Sequence, residues 1–218
     1  MKKLLTFIIV LFVANSMVAQ ISVGPRLGVN IASHTYISDD KDIQKDFNDL
    51  SGSIVGASFG GVLNIKKDKS KEFQLELLMV QKGESFEIFD EKYKFRTSYL
   101  NLKPMWNWGG GDRRGNWFAY GQFGPYVGFW MGAKDVESGT KYEFEDIDTE
   151  YKELRHIRFD VGISIGAGFK YKVGPGYIDF NPRFSHGFAP QIIDDMKSYW
   201  TANLNRNFSL NFGYLIEL

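Results

Sequence analysis

Phe159-Asp160-Val161-Gly162-Ile163-Ser164-Ile165-Gly166-Ala167-Gly168-Phe169-Lys170-Tyr171-Lys172-Val173 is the stretch whose reading decides the fold. Phe159, Val161, Ile163, Ile165, Ala167, Phe169, Tyr171 and Val173 share one face of an extended chain; the other face carries Asp160, Gly162, Ser164, Gly166, Gly168, Lys170 and Lys172. A repeat of two residues is the period of a strand. A barrel in water hides bulky apolar side chains inside and has no reason to set Gly and Ser on its outer face. Here the polarity is inverted: small residues mixed with charges fit the crowded interior of a narrow barrel. The Phe, Ile and Val then face a solvent that accepts them, which is lipid.

The same alternation recurs in eight segments, roughly 21 to 33, 54 to 66, 72 to 87, 93 to 108, 116 to 134, 158 to 173, 176 to 188 and 206 to 218. An even count lets the first and last strands pair antiparallel, and eight closes the smallest barrel. The expected fold is therefore all-β, an eight-stranded antiparallel transmembrane β-barrel. Its connections alternate in length. Three of the four outer loops are long, about 34 to 53, 135 to 157 and 189 to 205, and the fourth, 88 to 92, is short. The turns at the other end, 67 to 71, 109 to 115 and Gly174-Pro175, are compact. Short turns belong on the periplasmic side and long loops outside.

Residues 1 to 19 read as a signal peptide, with Lys2 and Lys3, an apolar run from Leu4 to Ala14, and a cut expected ahead of Gln20. The run is too short for a membrane helix. Residues 20 to 218 are then one barrel domain, beginning near the cut and ending on the last residue, with no periplasmic domain expected. The absence of cysteine excludes disulfides and a lipid anchor at the cut. Without Lys2 and Lys3 the chain has 24 basic and 26 acidic residues, a balance that does not favour nucleic acid. Low overall hydropathy is compatible with spanning strands, of which only half the residues are apolar.

Two local signals add to the pattern. In the last segment Phe208, Leu210, Phe212, Tyr214, Ile216 and Leu218 form one face. Within it Asn211, Gly213, Ile216 and Leu218 resemble the C-terminal signal read by the barrel-assembly machinery. Trp106, Trp108 and Trp117 flank the glycine-rich turn, where an aromatic girdle at the membrane interface would lie.

Glu76-Leu77-Leu78-Met79-Val80-Gln81-Lys82-Gly83 resembles the "ELLYSQKG" segment of the PorT-like outer-membrane β-barrel family, also described as a porin family or outer membrane protein beta-barrel domain. Arg26-Leu27-Gly28-Val29-Asn30, Tyr99-Leu100-Asn101-Leu102-Lys103-Pro104 and Gly124-Pro125-Tyr126-Val127-Gly128 are similar to its other recurrent blocks. The sequence departs from the family where Asn101 to Pro104 replace the usual Glu-Ile-Pro-like run and where Leu218 stands in place of an aromatic. The resemblance implies a Gram-negative outer-membrane location. It also implies a structural or interaction role, an accessory to secretion or surface assembly, because the founding member belongs to a type IX secretion system.

The inward face carries Arg26, Glu76, Lys82, Asn101, Lys103, Gln122, Asp160, Lys170, Asp179, Arg183 and Glu217. A cation on the lipid face costs about 2 to 4 kcal/mol at the midplane. Four would consume a stability of roughly 5 to 15 kcal/mol, so the facing is strongly determined. Arg26, Glu76, Lys103, Asp160, Lys170, Asp179 and Arg183 are expected to form a lumen charge network that plugs the barrel; Glu76 and Lys103 are placed to pair across the sheet or through Arg26 and Arg183. An ion- or solute-conducting lumen, a narrow porin, is the alternative.

A lipid-modifying enzyme is a weaker reading. Ser185-His186 with Asp179 or Asp194 suggests a hydrolase, but neighbouring strand residues point to opposite faces, so no catalytic site is expected. The acidic run 143 to 153 has calcium-like spacing at Asp146, Asp148 and Glu150 but lacks the glycine and distal glutamate of an EF-hand, and is read as a solvated loop. Gly109 to Gly111 read as a turn rather than a phosphate cradle. No metal or cofactor is expected. The partners expected are outer-membrane lipid, the assembly machinery and a protein at the outer loops, with the barrel itself a monomer. Pro25, Pro104, Pro125 and Pro182 fall inside strands, where each removes a ladder donor, and are expected to mark bulges or strand ends. The rival fold, a soluble lipocalin-type barrel, would turn Phe169, Phe180 and Phe212 inward.

Overall fold

The computed structural model describes residues 20–88, 91–112, 115–136, 139–142, 154–190, 192–194 and 202–218. The signal-peptide segment 1–19 and the acidic run 143–153 lie outside the described residues. Eight long strands follow one another: β1 (Gln20–Ile37), β2 (Ile54–Lys66), β3 (Lys71–Ile88), β4 (Glu91–Gly111), β5 (Trp117–Asp135), β6 (Phe159–Val173), β7 (Gly176–Gly187) and β8 (Ala202–Glu217). Each pairs antiparallel with the next. Strands β1 and β8 pair from Ser22↔Glu217 to Ile37↔Ala202, so the sheet closes on itself. Closure leaves no edge whose backbone groups would have to be satisfied in lipid.

The two faces of the sheet have opposite character. Leu27, Phe59, Ile165 and Phe212 are each more than half exposed on the outside, whereas Arg26, Glu76, Asn101, Asp179 and Arg183 are sealed within. Phe169 and Phe212 are exposed, and Phe180 stands half-buried with its ring 4.7 Å from that of Phe212 on the same outer wall. The lipocalin arrangement is thereby excluded. Trp106, Trp108 and Trp117 are also outward, at the end with short turns, with Trp117 stacked on Phe169 at 6.2 Å.

Strand ends differ from the sequence reading at the outer rim, where β1 continues to Ile37 and β8 starts at Ala202. The loop expected over 34 to 53 contains a helix, α1 (Lys41–Leu50). Asp40 caps it, accepting from the N–H groups of Asp42 at 2.9 Å and Ile43 at 3.3 Å. Asn48 clamps it to β1 by accepting from the Tyr36 N–H at 3.0 Å and donating to the Tyr36 carbonyl at 3.1 Å. Apolar residues at only Ile43, Phe47 and Leu50 make too short a helical repeat to stand out in a sequence.

The four prolines neither end strands nor shift register. Ladder pairing passes from Leu102↔Val127 to Trp106↔Phe123, a register that sets Pro104 opposite Pro125. The two missing donors thus fall at one point of one seam, while the other sides keep their ladders at Pro104↔Leu75 and Pro125↔Ile163. Pro182 is treated alike, paired with Leu210 of β8 at a gap in the β6–β7 ladder. A glycine lies against two of these prolines: a Cβ on Gly124 would run into the Pro104 carbonyl, and one on Gly166 into that of Pro182. The one register shift on this seam lies elsewhere, at Ser98/Tyr99, where Met131 is the extra residue and is turned outward.

These faces make a direct prediction. Val127→Arg, at an outward position in the middle of β5, should lower folding stability in phosphatidylcholine vesicles by about 2 to 4 kcal/mol, read from urea titration. Val127→Ile should change it by less than about 0.5 kcal/mol. Equal stability of the two variants would mean that this face does not meet lipid.

Candidate functional site in the barrel lumen

Because β-strand side chains alternate, each strand delivers every second residue to the barrel axis. The residues so delivered form layers along it. Nearest the short turns, Lys170 of β6 pairs with Glu72 of β3 and donates to Asn64 Oδ1 at 3.0 Å, with its Nζ 5.3 Å from the Tyr120 ring.

The central layer holds four charges. Arg26 of β1 bonds Glu76 of β3 through Nη1 and Asp179 of β7 through Nη2. Arg183 of β7 grips the same glutamate with both nitrogens, Nη1 to Oε2 at 2.6 Å and Nη2 to Oε1 at 2.8 Å. Tyr120 donates to Asp179 Oδ1 at 2.6 Å, and Gln122 Oε1 accepts from Arg183 at 2.8 Å. Forked guanidinium–carboxylate bonds are strong and directional. These bonds offset the desolvation cost that each buried charge would bear alone, although the Nε of Arg26 and of Arg183 finds no hydrogen-bond partner in the protein.

Above this, Lys82 of β3 pairs with Asp160 of β6, and Tyr126 donates to Asp160 at 3.2 Å while lying under the Lys82 ammonium at 4.5 Å. At the outer rim Glu84 gathers His34 Nδ1 at 2.6 Å, the Tyr36 hydroxyl at 2.9 Å and the Ser51 hydroxyl at 3.2 Å. His34 Nε2 also lies 2.9 Å from Asn205 Oδ1.

Of the seven lumen residues singled out in the sequence, the structure brings Arg26, Glu76, Asp179 and Arg183 together. It sets Asp160 and Lys170 in the layers on either side. Lys103 stands apart. Its Cα is the direct cross-strand partner of that of Glu76, yet its ammonium reaches no carboxylate among the described residues and lies 5.3 Å from the Tyr126 ring. The expected Glu76–Lys103 pair is absent because two arginines occupy both oxygens of Glu76. Sequence reasoning missed Glu72, Glu84, His34 and Tyr120 as partners. The first two share the parity of Glu76 along β3, His34 that of Arg26 along β1 and Tyr120 that of Gln122 along β5, so period two could have found all four.

Glu217, expected inside, is at the short-turn mouth, bonded to Lys172 at 3.0 Å and to Gln20. Of the terminal quartet, Asn211 points into the lumen and donates to the Asn181 carbonyl at 3.1 Å, and Gly213 lies beside the Pro25 carbonyl. Ile216 faces outward, and the Leu218 N–H donates to the Ile21 carbonyl at 3.0 Å across the closing seam. In the turn after β2, the Ser70 N–H and hydroxyl hold the Asp68 carboxyl below its ordinary range.

A catalytic arrangement is not assembled from the residues considered for it. Ser185 is buried against the Ser164 hydroxyl at 2.8 Å, whereas His186 is on the outer face with its ring 5.7 Å from Phe188. Asp179 is held by Arg26 and Tyr120. Among the described residues no group of three His, Cys, Asp or Glu side chains could hold a metal ion. Gly109 to Gly111 end β4 and lead into a turn with no helix after it.

Removal of one partner from the central layer is expected to cost far more than removal of the unpaired lysine. Glu76→Gln should destabilise the barrel by about 3 to 5 kcal/mol, since it leaves Arg183 with no carboxylate and Arg26 with Asp179 alone. Lys103→Met should be neutral or stabilising. Urea unfolding of both variants in the same vesicles checks this, and equal losses would remove the distinction drawn between the two residues.

Residues 14–192 match the family described as outer membrane protein beta-barrel domain, and the chain belongs to it. It is a protein of the outer membrane. The chain is similar in structure to Neisserial surface protein A, at 10% identity and a TM-score of 0.45, over 88% of this chain and 96% of that one. It is also similar to OprG from Pseudomonas aeruginosa, at 9% identity and a TM-score of 0.47, over 92% and 96%. A third similar structure is Ail, the attachment invasion locus protein of Yersinia pestis, in complex with the heparin analogue sucrose octasulfate, at 13% identity and a TM-score of 0.38, over 92% and 100%. No curated protein matches the sequence.

Proposed function

We propose that this outer-membrane barrel is a sealed anchor with a structural or interaction role, its outer loops meeting a protein partner as an accessory to secretion or surface assembly of the PorT kind. The observation that carries the reading is the central layer, in which Arg26, Glu76, Asp179 and Arg183 span the lumen from β1, β3 and β7 and leave their side chains no more than 1% exposed. A barrel so filled presents its loops and conducts nothing. It is not an enzyme in this reading, since Ser185 and His186 face opposite ways. Residues 1–19 serve as the signal peptide, residues 20–218 form the barrel, and Asn211, Gly213, Ile216 and Leu218 are read by the assembly machinery.

A narrow porin is the second reading. It is favoured by the amides of Asn101 and Asn207, which are buried in the lumen with neither end hydrogen-bonded to protein. Each such group is a place that a buried water would satisfy. Conduction through these places would have to pass the central layer.

Purified barrel in planar bilayers should show no unitary conductance, whereas Glu76→Ala should open small conducting events. Stable openings in the wild-type protein would move the porin reading ahead. The terminal-signal reading has its own test. Deleting 216–218 should reduce outer-membrane yield far more than deleting 143–150, and equal yields would refute it.

A further inference from the structure

On the short-turn side of the Lys170–Glu72 pair the lumen widens into a cavity of about 460 Å³ that opens at the barrel mouth. Short turns face the periplasm in barrels of this class. One wall of the cavity is the turn between β2 and β3, with Lys66, Lys67 and Lys69; the others include the Phe118 and Tyr177 side chains, and Lys172. A much smaller space lined by Glu72 and Lys170 shares its inner side.

The carboxylates of this vestibule are already engaged. Glu217 is bonded to Lys172 at 3.0 Å and to Gln20. Asp68 accepts from the Ser70 N–H at 2.7 Å and hydroxyl at 2.8 Å. Asp112 accepts from the N–H groups of Asn116 at 2.5 Å and Trp117 at 3.3 Å. Lys66, Lys67 and Lys69 have no ion-pair partner among the described residues. Lys66, Lys67, Lys69 and Lys172 share the lining with Asp68, Asp112 and Glu217, an excess of one positive charge, and the three ammonium groups without an ion-pair partner stand along one side of a concave site whose low-dielectric walls strengthen their field.

The form of the site narrows the ligand. Its volume suits a ligand of small-molecule size, or two or three residues of a polypeptide, rather than a folded domain. Lysines are point charges on flexible stems, without the planar fork that grips a single phosphate or carboxylate from two directions. Spread over a turn, they match several carboxylates spaced along an extended chain. The half-buried Tyr177 ring offers apolar area to the stems of that chain.

We propose that the periplasmic vestibule binds a short acidic peptide segment, presented by a periplasmic polypeptide. This site is separate from the outer loops and does not depend on the role assigned to them. Calorimetry on the full barrel in detergent tests it with three probes: a capped tetraglutamate, a capped tetraglutamine and inorganic phosphate. Tetraglutamate should bind, and its affinity should fall as salt is raised from about 0.15 M to about 1 M. Tetraglutamine should not bind. The triple variant Lys66→Gln, Lys67→Gln, Lys69→Gln should weaken tetraglutamate binding by at least about tenfold, while Lys134→Gln at the opposite rim should leave it unchanged. Lys67 and Lys69 lie in the exposed turn and Lys66 is the half-buried last residue of β2, and the faster mobility of unboiled protein on a detergent gel confirms that the variant is folded. Absence of tetraglutamate binding, equal binding of tetraglutamine, or unchanged binding by the triple variant would each overturn the proposal. Phosphate binding as tight as that of the peptide would also overturn it, reducing the vestibule to a simple anion site.

Discussion

Lipid offers no hydrogen bonds, and that single property of the solvent dictates both faces of this sheet. Backbone donors and acceptors must be satisfied within the protein, which requires a ladder that returns to its first strand. The β1–β8 seam supplies the return, from Ser22↔Glu217 to Ile37↔Ala202. Bulky apolar residues then cover the outside, and the charges of the central layers, Arg26, Glu76, Lys82, Asp160, Lys170, Asp179 and Arg183, are driven inward, where no bulk water compensates them. The core of this protein is accordingly polar. Ion pairs and amides fill the space that Leu and Phe fill in a soluble domain.

A polar core places heavy demands on matching. Burying an ion pair is rarely more favourable than burying hydrocarbon of the same shape, but leaving one member alone is costly. The central layer meets this by sharing: Glu76 serves both Arg26 and Arg183, and Asp179 serves Arg26 and Tyr120. The layers above and below repeat the device with single pairs braced by tyrosines. Lys103 shows the consequence for a residue left out, since its direct cross-strand neighbour is committed elsewhere and only an aromatic face lies near it.

The two ends of the barrel use their charges differently. At the outer rim Glu84 is enclosed by His34, Tyr36 and Ser51, and helix α1 is clamped to β1 beside them. At the periplasmic mouth the carboxylates bond mainly to their own turns, so the lysines of the first turn remain available. That contrast arises from local turn chemistry: Asp68 and Asp112 each find backbone N–H groups within five residues.

The alternation in 159 to 173, the eight repeats of it, the alternating lengths of the connections and the inward facing of Arg26, Glu76, Asp179 and Arg183 were all legible in the sequence. Each is a property of one strand or of one neighbouring pair, and period two displays it directly. Tertiary structure alone decided which charges meet. Arg26 reaches Asp179 across a separation of 153 residues because closure brings β1 and β7 onto the same axis at the same height. It likewise set Pro104 opposite Pro125, so that two defects feared as separate breaks became one interrupted point in a continuous seam. Helix α1 and the vestibule were hidden for the same reason: one depends on Asn48 finding Tyr36, the other on turns that lie far apart along the chain. Facing is a local consequence of strand geometry, whereas partnership depends on register and closure, which no single segment contains.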